Sequence, residues 1–233
     1  MAESRPSLII ALDVSSAAAA RRIVAAVGDA GVMYKVGMQL YTAEGPEVVR
    51  ELVQSGRRVF LDLKYHDIPN TVSAAVQEAA QLGASMLTVH AAGGGRMLRA
   101  AVDAAGLSSH APLVLGVTVL TSLDDGDLNK MGVRGSVVDQ VLRLAALALS
   151  NGCGGVVASA HEAAPLREDL GQNFALVTPG VRPAGSGRGD QVRVVTPQEA
   201  IAAGATHIVV GRPITEAADP AAETRAILGE IGG

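Results

Sequence analysis

Lysine is scarce in this chain. Of 19 basic residues only Lys35, Lys64 and Lys130 are lysines, and arginine supplies the remaining positive charge. Lys35 and Lys64 lie in apolar, strand-like stretches, where an ammonium is costly unless paired. Lysine can exchange a proton near neutral pH when its surroundings perturb it, which arginine in practice cannot. Compositional drift would give the same count; placement within apolar strands favours a chemical use. Other absences narrow the field further. A single cysteine, Cys153, excludes an intramolecular disulfide and a cysteine-based metal cluster, and its expected role is a buried structural thiol. There is no basic excess: the formal net charge is −4, against what a general nucleic-acid binder needs to neutralise phosphates. A local basic site for a small anion remains open. No apolar run approaches the ~20 residues of a membrane span. The opening "MAESRPSLII" lacks the basic segment and long apolar region of a signal peptide, so the expectation is a soluble, cytoplasmic protein. The first strand–helix turn reads "LDVSSAAA" where a dinucleotide fold would carry G-x-G-x-x-G, and no G-x-x-x-x-G-K-[ST] loop occurs.

What is present is alternation. Short Val, Ile and Leu runs at 8–14, 33–37, 58–64, 86–91, 113–120, 155–159, 174–180 and 207–211 are separated by Ala-rich helical stretches. Parallel strands require crossover connections, so this order predicts a wholly parallel sheet. Eight such runs point to an α/β fold, a closed (β/α)8 TIM barrel, with an open doubly wound sheet as the weaker alternative. Ser15 or Ser16 is expected to cap a helix ending at Gly28; Pro46 opens another, and Asp219-Pro220 the last. No linker divides the chain, and a single domain over 1–233 is expected.

The strand ends carry the chemistry. Residues i and i+2 of a strand share a face. In "RVFLDLK", Val59, Leu61 and Leu63 should face the outer helices. Phe60, Asp62 and Lys64 should face the barrel interior, the last two roughly 7 Å apart along the strand. The same parity turns Asp13 inward with Ile10 and Leu12 outward, sets Lys35 opposite Tyr34 and Val36, and sets His90 opposite Leu87 and Val89. An isolated Asp–Lys pair would read as a structural ion pair, and a lone His90 as a hydrogen-bonded wall residue. Alternating charge at several neighbouring strand ends is harder to explain structurally, because barrel enzymes build their sites at that mouth. Lysines stand where a metal site would need more carboxylates or imidazoles, so no metal is expected. A second constellation follows the last two strands. "TPGVRPAGSGRGDQ" brings Arg182 and Gln191 with a Gly-rich loop that could close over a ligand, and "VGRPITEA" brings Gly211 and Arg212 before a helix start at Pro213. Backbone N–H groups and a guanidinium at this point suit a phosphate.

"DLKYHDIPNT", together with "ALDV", "KVG", "LTS", "TPGVR…GDQ" and "VGRPIT" in that order, resembles the orotidine 5′-monophosphate decarboxylase family over essentially the whole chain. The Asp-x-Lys-x-x-Asp core is shared with sugar-phosphate decarboxylases and synthases of the wider superfamily; "IPNT" and "TPGVR…GDQ" are far more specific. The resemblance implies cofactor-independent decarboxylation of orotidine 5′-monophosphate to uridine 5′-monophosphate in de novo pyrimidine biosynthesis. It lays the family's catalytic array on Lys35, Asp62, Lys64 and Asp67, with Lys64 stabilising and protonating the C6 carbanion. It further implies that Asp13 binds ribose, that Thr121 contacts the pyrimidine, and that Arg182, Gln191, Gly211 and Arg212 serve the phosphate and the loop over it. It implies a homodimer in which Asp67, Ile68 and Thr71 reach the partner's site. With two Phe and three Tyr in the chain, aromatic stacking is not the expected mode of base recognition. A metal-dependent sugar-phosphate decarboxylase of the same superfamily and a non-catalytic phosphate-binding barrel are the alternatives. His66 is expected only to shape its turn.

Overall fold

The computed structural model describes residues 7–183 and 195–232. Each apolar run becomes a parallel strand: β1 (Ser7–Ala11), β2 (Met33–Gly37), β3 (Arg58–Tyr65), β4 (Met86–His90), β5 (Leu113–Val117), β6 (Gly155–Val157), β7 (Ala175–Thr178) and β8 (His207–Val210). Consecutive strands pair all the way round. β8 then returns to β1 through Ser7↔His207 to Ile10↔Val210, which closes the eight strands into a barrel. A strand inside such a barrel is covered on both faces, which is why these runs are almost wholly apolar.

The two faces make two separate cores. Ile9, Ala11, Met33, Phe60, Met86, Leu115, Val177 and Val209 fill the barrel interior. Leu8, Ile10, Leu12, Tyr34, Val36, Leu61, Leu87 and Val89 face outward and join the helices in a second cluster. The inward-outward parity read from the sequence therefore holds on the first four strands.

Among the described residues the helices are α1 (Ala17–Val27), α2 (Met38–Glu44), α3 (Glu47–Gln54), α4 (Pro69–Gln81), α5 (Gly95–Gly106), α6 (Asp125–Lys130), α7 (Val137–Ser150), α8 (Ala163–Leu170), α9 (Pro197–Ala202), α10 (Arg212–Thr215) and α11 (Pro220–Gly232). Of the two candidate caps of α1 it is Ser16 that acts, its Oγ accepting from the Ala19 N–H at 3.2 Å, and Gly28 ends the helix at φ 69°. Asp219 caps α11 through the Ala222 N–H at 2.9 Å. Pro46 precedes α3, and Pro69 opens α4 as its first residue, where the missing N–H costs nothing. A Cβ at Gly116 of β5 would stand 2.5 Å from the Ala148 Cβ, so the glycine lets α7 lie close on the sheet. Among the described residues no helix is long and apolar enough to cross a membrane.

Candidate active site

β3 departs from regular pairing where it turns charged. Phe60↔Met86 and Leu61↔Leu87 pair in step, but the next partners are Tyr65 and Val89. Three residues, 62–64, thus face a single residue of β4, Thr88, and the strand bulges. Lys64 sits at φ 52°, the one positive value at a non-glycine residue among those described. That conformation costs about 1 kcal/mol or more for a residue with a Cβ. Simple alternation would have left Asp62 and Lys64 side by side on a straight strand; the bulge instead folds Lys64 back onto Asp62. Its Nζ lies 2.8 Å from Asp62 Oδ1 and 2.9 Å from Oδ2. The fully buried Thr88 completes the arrangement, its Oγ1 accepting from the Lys64 N–H at 2.9 Å and donating to Asp62 Oδ1 at 3.0 Å. Sequence reasoning passed over Thr88. Its inward parity was available from His90 two residues on, but a neutral hydroxyl draws no attention in a search for charges.

Lys35 is buried in the middle of β2, with Nζ 2.8 Å from Asp13 Oδ1 and 3.7 Å from Asp62 Oδ2. Asp13, just past β1, Lys35 of β2, and Asp62 and Lys64 of β3 therefore form a chain of alternating charge across three adjacent strands. Each ammonium has a carboxylate within reach, so Coulomb attraction offsets the cost of taking it out of water.

Two cavities meet at this chain. The larger, of about 480 Å³, runs from Asp13, Lys35 and Asp62 across to Arg182, Gly211 and Arg212. The smaller, of about 170 Å³, holds Lys64 and Thr121 against an apolar wall that includes Phe60, Val117 and Val157. Lys35, Asp62, Pro179 and Val209 line both. One end of the combined space is thus cationic and the other mostly apolar around one ammonium. Arg182 is buried and its backbone is held by β-type contacts: Val181 bridges Val195, and the Arg182 N–H donates to the Val195 carbonyl at 3.0 Å. Gly211 and Arg212 stand where β8 passes into α10. Gln191 lies outside the described residues.

Asp67, Ile68 and Thr71 are not brought to this site. All three are exposed, and none lines either cavity. Asp67 Oδ1 accepts from the Ile68 N–H at 2.6 Å, and Ile68 is 67% exposed. The His66 and His90 rings pack with centroids 5.3 Å apart. Burial chiefly holds the His90 pKa below its ordinary value, helped by His66 and Lys64 and opposed by Asp62. Of the remaining residues singled out in the sequence, Lys130 is exposed and pairs with Asp127 at 3.4 Å, while burial pushes the Cys153 thiol up to about 11. Among the described residues no three His, Cys, Asp or Glu side chains gather in a group suited to a metal ion.

The family described as "Orotidine 5′-phosphate decarboxylase / HUMPS family" matches residues 6–227. The chain is 51% identical over 227 residues to an orotidine 5′-phosphate decarboxylase of Idiomarina loihiensis, covering 97% of this chain and 98% of that one. It is 54% identical over 217 residues to the protein of the same name from Anaeromyxobacter sp., covering 93% and 94%. Among solved structures, the orotidine 5′-phosphate decarboxylase of Lactobacillus acidophilus superposes with a TM-score of 0.88 at 41% identity, over 98% of this chain and 100% of that one. The chain belongs to this family.

Proposed function

We propose that this barrel decarboxylates orotidine 5′-monophosphate to uridine 5′-monophosphate in the cytoplasm, as a step of de novo pyrimidine synthesis. The observation that carries the reading is the position of Lys64 Nζ. It is 2.8 Å from Asp62 Oδ1 and lines a small, mostly apolar chamber that opens onto a larger cavity bearing Arg182 and Arg212. A nucleotide monophosphate has the matching polarity, with an anionic phosphate at one end and a flat base at the other. Gly211 and Arg212, with Arg182, would take the phosphate, Asp13 and Lys35 the ribose hydroxyls, and Thr121 the base. Gln191 would join the phosphate contacts.

In the reaction the bond from C6 to the carboxylate carbon breaks, carbon dioxide leaves, and the electron pair remains on C6. The Lys64 ammonium lies where that charge develops; it stabilises the charge and then transfers a proton to C6. Neutral Lys64 regains its proton from water. Asp62, beside Lys64, would face the departing carboxylate with like charge. Lys35 completes the polar floor. The steps use groups of the protein and water, and none requires a metal or organic cofactor. The phosphate contacts are remote from C6, yet their binding energy can be used to order the charged groups around it.

The exposed Asp67, Ile68 and Thr71 fit a homodimer in which each chain lends these residues to its partner's cavity. An isoleucine 67% exposed beside the mouth leaves apolar surface that a second copy would cover. The whole chain, 1–233, is taken as one decarboxylase domain. The deciding assay is carbon dioxide release from orotidine 5′-monophosphate in the presence of a chelator. Release at full rate is expected. Release abolished by chelation would favour a metal-dependent sugar-phosphate decarboxylase, and tight nucleotide binding without release a non-catalytic barrel.

A further inference from the structure

We propose that Thr88 is a positioning residue for the reaction, setting the relative placement of Asp62 and Lys64 through one hydroxyl group. This rests on the roles given to Asp62 and Lys64 above. The directions of its two hydrogen bonds follow from the partners. A backbone N–H can only donate, so Thr88 Oγ1 accepts from Lys64 N at 2.9 Å. The hydroxyl proton is then available to Asp62 Oδ1, 3.0 Å away. One atom thereby grips the backbone of the residue that carries the ammonium and the side chain of the residue that carries the carboxylate.

The bulge makes that grip necessary. Between Leu61↔Leu87 and Tyr65↔Val89 the β3–β4 register shifts, and the Thr88 side chain accepts the Lys64 N–H in the irregular stretch. Lys64 also holds φ 52°, which the surroundings must enforce against its intrinsic cost. At Asp62, Oδ1 receives both Thr88 and the Lys64 ammonium, while Oδ2 faces Lys64 at 2.9 Å and Lys35 at 3.7 Å. Thr88 therefore fixes the rotation of the Asp62 carboxylate, which presents both oxygens to Lys64 and Oδ2 to Lys35. Thr88 itself lines neither cavity and is fully buried, so it acts on a ligand only through Asp62 and Lys64. Arg182 and Arg212 line the larger cavity, which Thr88 does not.

Removal of the hydroxyl should consequently slow turnover and spare binding. The test compares Thr88→Val, which keeps the shape, with Thr88→Ser, which keeps the hydroxyl; kcat, KM and inhibition by uridine 5′-monophosphate are measured with the thermal midpoint. A misplacement of about 1 Å in a reacting group can cost on the order of a hundredfold. Thr88→Val is expected to lose about that factor in kcat, with KM and inhibition changed less than about threefold, and Thr88→Ser to return within about fivefold of the parent. A Thr88→Val enzyme with parental kcat overturns the proposal, as does a Thr88→Ser enzyme no faster than Thr88→Val. So does a set in which Val and Ala variants fail to fold while Ser folds, since the hydroxyl would then serve the barrel itself. If Val alone fails to fold, the Ala and Ser variants, which differ by one hydroxyl, carry the same comparison. The unmodified protein is assayed first: if it releases no carbon dioxide from orotidine 5′-monophosphate, the site reading fails, and the Thr88 proposal fails with it. Parental kcat in Thr88→Val would overturn the latter alone.

Discussion

Lys35 Nζ and Asp13 Oδ1 lie 2.8 Å apart, and the space beside both atoms is kept free by Gly37. A Cβ on Gly37 would stand 2.9 Å from Lys35 Nζ and 3.1 Å from Asp13 Oδ1. The backbone there has φ −97°, open to any residue, so what Gly37 supplies is the missing side chain rather than an unusual conformation. The pair is the outer end of the charge chain that reaches Lys64.

Gly37→Ala should therefore be a functional lesion with little effect on folding. The atoms it would crowd are the tips of side chains, which can give way, so a stability change within about 1 kcal/mol is expected. The displaced ammonium would be carried away from Asp13 and Asp62, and kcat/KM should fall at least about tenfold, the factor set by about 1.4 kcal/mol of lost transition-state stabilisation. Thermal unfolding and steady-state kinetics on the same preparation check this. A large loss of stability with activity intact would show that Gly37 serves packing instead.

Much of this site was legible because its ionisable groups end apolar strands whose parity is read directly. Asp13, Lys35, Asp62 and Lys64 converge as the alternation required. The strands proved shorter than their apolar runs at the mouth: 8–14 became β1 ending at Ala11, and 113–120 became β5 ending at Val117. Residues that serve a cavity leave the ladder, yet remain apolar enough to extend the pattern. The bulge at residues 62–64 was not legible. Pairing depends on two strands, and a period-two pattern on β3 says nothing about its register with β4. Thr88 was hidden for the same reason, since its partners exist only once the bulge does. The separation of Asp67 from Lys64 could be anticipated only from family resemblance.

Strain at Lys64 can be isolated by two substitutions that both abolish the ammonium. Lys64→Ala retains a Cβ at φ 52°, whereas Lys64→Gly removes it. Both should lose decarboxylation by several orders of magnitude. The glycine variant should nevertheless be more stable than the alanine variant by about 1 kcal/mol, because left-handed backbone is intrinsically open to glycine. Urea unfolding of the two proteins measures the difference. Equal stabilities, or a more stable alanine variant, would show that the bulge carries no such cost.

Acid sensitivity should have an identifiable source at the opposite end of the barrel. His207 begins β8, on the interior parity of Val209, with Nδ1 2.8 Å from Thr206 Oγ1. Burial, aided by Arg58, lowers its pKa to about 4 from the ordinary 6.5. Between those values the unfolded chain binds a proton that the folded chain does not. Stability from this group is complete above about pH 6.5 and declines as pH falls towards 4, by about 3 kcal/mol in total. Urea unfolding at pH 7.5, 5.5 and 4.5 should show that decline, and His207→Gln should flatten it. An identical pH dependence in the variant would assign the loss to other groups.

The exposed position of Asp67 permits a test of the composite site that needs no structure of the dimer. If each site takes Lys64 from one chain and Asp67 from the other, Lys64→Ala and Asp67→Ala homodimers each lack one group in both sites. In the mixed dimer, one site combines both substitutions and the other has neither. Random re-association at equal concentrations makes half of the dimers mixed, and half of the sites in those intact. About a quarter of the parental activity should return after the two inactive proteins are unfolded together and refolded, a consequence of two-fold symmetry alone. Titration with an excess of one variant should move the recovered activity along the binomial curve. No recovery from a mixture shown to exchange subunits would mean that Asp67 serves the chain that carries it, and the dimeric site would have to be abandoned.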